Sequence, residues 1–309
     1  MREIESHLRK DMAFLYRDSL FVLATLLALV LFVVFAFSCS GVYDKNVSGM
    51  TMTMEDMQNL QRSLLYQYWM SVMGIESLVV IFFSAFMIAI ENETGTLGLT
   101  LTYGVKLWQV YLSKLLTLII LGMMLNIIAL VTFIAIFSSV NALHVSLLEL
   151  LSTAIFPTLF SITIASLGLL MSALLRKKNS AVVVSLITLM LLQALFSYGM
   201  AVGYNDAVRD LNENHIYGKN TNEDVLDHFS QEMKLLLLLN PYLVQEGLVH
   251  TTVSSQGTPE YASQQYFTLM SIWGDFAFAL VVIVCLNIMA LSVLSHRFKV
   301  RHVVYVDTM

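Results

Sequence analysis

Few residues in this 309-residue chain have the type and spacing to do chemistry. The first is a carboxylate in an apolar run: Glu76 lies among Gly74, Ile75 and Leu78. A charged carboxylate at the centre of a bilayer helix costs about 2.5–3.5 kcal/mol. Two readings follow. Glu76 lines a translocation path or binds a cationic group, or it is a protonated or hydrogen-bonded structural glutamate. Asn126, Gln193 and Asn287 are also polar residues in apolar surroundings. Interhelical hydrogen bonds account for such amides, and Asn126 and Gln193 are the candidates to share a path with Glu76. Met50, Met52, Met54 and Met57 cluster in one loop. Thioethers suit Cu(I), so a copper-related permease is one reading. Flexible apolar filler is the other, in a chain with 18 methionines. The seven histidines are scattered without a zinc spacing.

Phosphate chemistry is missing. No Gly-x-x-x-x-Gly-Lys-Ser/Thr loop occurs, and Gly218-Lys219 lacks the earlier glycine. The chain is therefore not expected to hydrolyse ATP by that chemistry. A net charge of −5 gives no sign of a nucleic-acid partner. Cys39 and Cys285 sit in apolar runs and are expected as small buried hydrophobes, not a disulfide framework.

The elements that position these residues follow from composition. The chain is 57% hydrophobic and 13% charged, with a mean hydropathy of +0.73. Soluble domains carry about 25% charged residues, so this one needs an apolar solvent. A span takes about 20 mainly apolar residues. Six stretches qualify, near 20–41, 70–90, 112–138, 147–175, 180–203 and 271–295. The expectation is an all-α integral membrane protein, one transmembrane domain over 1–309. Glu149 and Asp275 fall near span ends, where water is expected to reach them.

Basic residues orient the spans. With the N-terminus inside, the inner segments hold Arg2, Arg9, Lys10, Arg17, Lys106, Lys114, Arg176, Lys177, Lys178, Arg297, Lys299 and Arg301, twelve of 17. Both termini are then cytoplasmic, as are 91–111 and 176–179. Segments 42–69 and 204–270 lie outside. Residues 1–19 place Ile4, Leu8, Met12 and Leu15 at helical spacing, which suits an amphipathic helix on the inner membrane surface. A cytoplasmic extension of the first span is the alternative. In the long outer loop, Asn222 is placed to cap a helix carrying Val225, Leu226, Phe229, Met233, Leu236 and Leu237. Leu235 to Leu239 is too short to span and fits a helix dipping back from outside.

The segment after the second span reads Glu91-Asn-Glu93-Thr-Gly95-Thr96-Leu97-Gly-Leu99-Thr-Leu101-Thr-Tyr103-Gly104-Val105-Lys106. Gly95 and Gly104 bracket a short segment with Leu97 and Leu101 one helical turn apart. As a helix it could dock in a groove on a partner; the alternative is a loop whose leucines dip into the interface.

Glu91 to Lys114 resembles the signature region of type-2 export permeases of ABC transporters. That family typically reads Glu-x-x-Gly-Thr-Leu, a short helix, a Pro-Val-Ser-Arg-like turn, and Gly-Lys at the head of the next span. Glu91 and Glu93 supply the acidic lead, Gly95-Thr96-Leu97 follows, and Val105, Trp108 and Lys114 also match. Gly104, Leu107 and Ser113 replace the usual proline, basic residue and glycine. The resemblance extends to the whole layout: an amphipathic N-terminal helix, six spans, a coupling helix between spans two and three, and an outer helical element before the last span. It implies the membrane subunit of an ATP-driven exporter in the plasma (inner) membrane, in contact with membrane lipid. A second permease copy, as homodimer or heterodimer, and a separate ATPase subunit binding ATP and Mg complete the implied assembly. It also implies that Glu91, Glu93, Gly95, Thr96, Leu97 and Leu101 couple to the ATPase. A hydrophobic or amphipathic cargo such as a lipid, peptide or drug is expected. The rival readings are a membrane-embedded assembly or immunity protein without transport of its own, and an intramembrane lipid-modifying enzyme. The enzyme would need clustered His, Asp or Arg near one membrane face, and the chain shows little of that.

Overall fold

A computed structural model describes residues 2–49, 53–175, 177–213, 240, 242, 248 and 272–306. These residues are helical, with no strand among them. In chain order the helices are α1 (Arg2–Arg17), α2 (Ser19–Gly49), α3 (Met54–Thr94), α4 (Thr96–Thr102), α5 (Leu107–Val140), α6 (Leu147–Thr153), α7 (Ile155–Leu174), α8 (Lys178–Glu213) and α9 (Ile272–Val306). Among the described residues, six helical stretches are long and apolar enough to cross a membrane: Ser19–Ser48, Met54–Thr94, Leu107–Val140, Leu147–Leu174, Lys178–Gly199 and Trp273–Phe298. The helices run past the apolar windows because polar residues such as Asp56, Gln58 and Gln61 continue α3 without a breaker.

Local chemistry sets the ends. Asp18 caps α2, its Oδ1 accepting from the Leu20 amide at 2.8 Å. Thr53 and Asp56 form a reciprocal capping box at the head of α3. The fourth span is interrupted at Ala154, where α6 ends and α7 begins. Pro157 has no N–H to give the carbonyl four residues back, so the ladder cannot run through unbroken. At the far end of α7, Arg297 of α9 donates to the Ala173 carbonyl at 2.6 Å and to the Leu174 carbonyl. A cation there satisfies carbonyls the helix leaves open.

The core is the pairing of α3 with α7. About two thirds of the most apolar window of each of these spans is buried, 67%, against 17% for α8 and α9. Small residues allow the close approach. A Cβ added at Gly168 would collide with the Ser84 hydroxyl and come within 2.8 Å of Ser84 Cβ. One turn on, Ser172 Oγ accepts from the amides of Ile88 and Ala89 at 3.0 and 2.8 Å. Cys39 is buried, but Cys285 is exposed on α9, contrary to the burial expected of both. α9 turns one stripe inward, through Ala279, Ala290 and Leu294, and leaves the rest of its apolar surface uncovered.

At the other end of the bundle, Gln61 clamps the α5–α6 connection. Its Nε2 donates to the Ala142 carbonyl at 2.8 Å, and its Oε1 accepts from the His144 amide at 2.8 Å. Arg62 Nε meets Glu149 Oε1 at 2.5 Å, so Glu149 is paired and not simply solvated. Asp275 is also inside, 1% exposed, because α9 packs its first turn against the bundle. The proposed cap at Asn222 and the helix after it, with Met50 and Met52, lie outside the described residues. Asn240 and Tyr242 are described. Asn240 donates to the Leu192 carbonyl at 2.8 Å. The Tyr242 ring packs 5.3 Å from Phe160 of α7 and 6.5 Å from Phe196 of α8.

Candidate functional site: the coupling loop and the buried carboxylate

Two glycines isolate α4. Gly95 (φ 75°) stops α3 and Gly104 (φ 81°) follows α4, both in the left-handed region that side chains with a Cβ disfavour. Threonine hydroxyls hold the short turn: Thr100 donates to the Thr96 carbonyl at 2.9 Å and Thr102 to that of Leu99 at 2.7 Å. Leu97 is 2% exposed and packs into the core. Leu101 is half-buried, and Gly95 and Thr96 are exposed. Leu99 and Tyr103, four residues apart and so on one face, are 60% and 85% exposed. The outward apolar contacts of α4 are therefore Leu99 and Tyr103, while Leu97 seats the helix.

The acidic lead is engaged within the chain. Glu91 Oε1 lies 3.0 Å from Lys114 Nζ and 3.5 Å from Lys10 Nζ. Lys114 Nζ also lies 3.4 Å from Asp11 Oδ1. Ser113 Oγ donates to Asp11 Oδ2 at 3.1 Å, so the serine replacing the family's glycine has a polar task. The cluster ties α1, α3 and α5 together at the foot of α4. Glu93 Oε2 accepts from the Lys178 amide at 3.0 Å. An acid at a helix N-terminus satisfies an open donor and complements the dipole. Lys178 Nζ in turn sits 5.8 Å from the centroid of the Phe86 ring.

Deeper in the bundle, three spans meet at Glu76, which is 1% exposed. Glu76 Oε1 is 3.1 Å from Asn126 Nδ2 and 2.5 Å from Ser161 Oγ. Asn126 Nδ2 also donates to the Gly122 carbonyl at 3.1 Å. Gly122 leaves room for the trio, since a Cβ there would stand 2.9 Å from Ser161 Cβ. Glu76 Oε2 and Asn126 Oδ1 are buried without a hydrogen bond.

A model of the ABC-2 family transporter proteins matches residues 8–301. The chain belongs to the ABC-2 transporter family. No curated protein matches it. As an ABC-2 transporter protein it is a multi-pass membrane subunit, and its six long apolar helices agree with that.

The ABC-2 chain separates its third path candidate from the other two. Gln193 sits on the exposed face of α8, away from Glu76 and Asn126. A second polar bridge ties α5 and α7 to α9: Tyr111 OH donates to Asn287 Oδ1 at 2.6 Å, and Asn287 Nδ2 donates to Ser166 Oγ at 2.9 Å. Of the Met cluster, Met54 is exposed and Met57 half-buried on the first turn of α3. Two residues of these sites escaped sequence reasoning, Asp11 and Ser161, and Ser113 was noted there only as a departure from the family pattern. The signal for Asp11 was available. It interrupts the apolar stripe of α1, and a buried acid requires a partner. Ser161 carried no such signal.

Proposed function

We propose that the chain is the permease subunit of an ATP-driven exporter, working as a dimer with a separate ATPase that binds ATP and Mg. Its inner face carries residues 1–19, 91–111, 176–179 and 296–309. The observation that carries this reading is α4, a helix of about two turns set off by Gly95 and Gly104 with Leu99 and Tyr103 pointing outward. Those two side chains enter a groove on the ATPase. Leu97, Leu101, Gly95 and Thr96 set the helix at the right angle, and Glu91 and Glu93 anchor it to the spans. Closure of the ATPase then displaces α4, and the Glu91–Lys114–Asp11 cluster passes that displacement to α1, α3 and α5. Glu76 and Asn126 line the path only when α3, α5 and α7 separate, because the trio is sealed in the described conformation. Gln193 faces the second copy. The cargo is hydrophobic or amphipathic, and moves out of the cytoplasm or inner leaflet.

The test is affinity purification of the chain from its native membranes in mild detergent, identification of any ATPase that co-purifies, and an ATPase assay in vesicles. Leu99→Asp with Tyr103→Asp should leave the permease folded and strip the ATPase from it. Retention of the partner, with unchanged hydrolysis and transport, would sink the assignment of α4.

A further inference from the structure

The hydrogen atoms around Glu76 do not add up if its carboxyl is ionised. Ser161 Oγ stands 2.5 Å from Glu76 Oε1 and 2.9 Å from the Pro157 carbonyl. A hydroxyl carries a single proton. Both contacts are at hydrogen-bond distance, so one of them needs a proton from another group. The Pro157 carbonyl has none to give, which leaves the carboxyl. The amide of Asn126 faces Glu76 Oε1 and the Gly122 carbonyl, each at 3.1 Å, and adds no proton between the two oxygens. Nor does a cation balance an ionised form. Glu76 makes no ion pair among the described residues, and its Oε2 is buried without a partner. α7 carries no charged residue or histidine. On α5 the charged side chain is Lys114, about 12 Å along the axis from Gly122 and held by Asp11 and Glu91. On α3, Arg62 and Glu91 are each about 20 Å from Glu76 along the helix. α2 and α8 keep their charge at the ends, in Asp44 and Lys45 and in Lys178 and the stretch from Asp206. Asp275 of α9 is a second acid, and Tyr68 and Tyr242 are phenols, neutral near neutral pH. A carboxylate out of water without a counter-charge neutralises instead of staying charged.

We propose that Glu76 is a proton-binding site that fastens α3, α5 and α7 together. Oε1 carries the proton and donates it to Ser161 Oγ, and Ser161 donates its own to the Pro157 carbonyl. The trio is tightly packed, since a Cβ at Gly122 would stand 2.9 Å from Ser161 Cβ and 3.5 Å from Glu76 Oε1. A proton fills such a site without needing space. When the three helices part, water reaches the carboxyl. The O–H bond breaks, its electron pair stays on Oε1, and the proton passes to water. Closure takes a proton up again, so acid favours the closed bundle and alkali the parted one. The bound proton needs only the closed trio. Its release during a transport cycle rests on the exporter reading.

The experiment records infrared spectra of the full chain in lipid nanodiscs at neutral pH, wild type against Glu76→Gln. The difference should hold the carbonyl band of one protonated carboxyl per chain, with Asp275 common to both and cancelling. Ser161→Ala should move that band to higher frequency, because the O–H loses its acceptor. A second measurement follows unfolding in detergent against pH. Above the ordinary carboxyl range, the folded-to-unfolded ratio of wild type should fall about tenfold per pH unit relative to Glu76→Gln, until the folded site itself lets the proton go. That slope is the linkage of one proton held by the folded state alone. If Glu76→Gln does not fold, the wild-type band and its shift in Ser161→Ala carry the test. Carboxylate bands in place of the carbonyl band would overturn the site, as would equal pH dependence in wild type and Glu76→Gln. A band that changes when choline replaces sodium would mark a sodium site and overturn the proton assignment. The spectra need no ATPase, so this site and the assignment of α4 fail separately.

Discussion

Lys114 Nζ stands 3.0 Å from Glu91 Oε1, joining the head of α5 to the foot of α3 across the base of α4. Lys114 also answers Asp11, so a single ammonium serves two carboxylates. The lysine side chain is 3% exposed. Removing it takes the buried Asp11 carboxylate's ion pair away and leaves Glu91 only the more exposed Lys10, and breaking such a buried pair costs about 3–5 kcal/mol. Lys114→Met should therefore lower the thermal midpoint in detergent sharply. The triple variant with Asp11→Asn and Glu91→Gln should recover much of it. A single variant as stable as wild type would show that the cluster holds nothing together.

The two leucines of α4 should behave oppositely. Leu97 is buried, so Leu97→Ala should cost about 2–5 kcal/mol, read as a lower unfolding midpoint and poorer yield. Leu99 is exposed, and Leu99→Ala should stay within about 0.5 kcal/mol of wild type. Equal losses at both positions would contradict the inward orientation of Leu97.

Gly168→Ala tests the α3–α7 contact. The new methyl meets the Ser84 side chain, and overpacking of this kind costs about 1–3 kcal/mol. Ser84→Gly in the same chain should relieve it. Midpoints of the two single variants and the double variant measure the coupling. Simple additivity would argue that the helices adjust freely.

Topology is open to direct chemistry. In a cysteine-free background, Ser48→Cys should react with an impermeant maleimide in intact cells, and Thr102→Cys only after lysis. Labelling of the Thr102 variant in intact cells would invert the orientation drawn from the basic residues.

Much of the fold is legible in the sequence because bilayer spans announce themselves by long apolar runs. The two glycines mark off the segment that becomes α4, but helix and loop stay open there until the family resemblance chooses the helix. What the sequence hides is pairing. Ser113 and Lys114 meet Asp11 from about a hundred positions away, and Ser161 reaches Glu76 across 85. Periodicity says which face of a helix is apolar, not which polar residue on a neighbouring helix answers it. The orientation of α4 was hidden for a related reason. Leu97, Leu99 and Leu101 are alike in type, and only packing against α3 decides which turns inward.

The charge cluster has a further consequence for biogenesis. Lys10, Asp11, Glu91 and Lys114 sum to zero once assembled. During insertion no such cancellation exists, because α5 has yet to emerge when α1 and α2 enter the membrane. Basic residues near span ends orient a nascent helix, and carboxylates contribute little. Lys10 and Lys114 can therefore act first as address labels for the translocation machinery. Later they serve as struts, their partners Asp11 and Glu91 having been silent in the earlier step. One set of lysines thus works twice, at two times in the life of the chain, and the finished protein keeps no uncompensated charge at that joint.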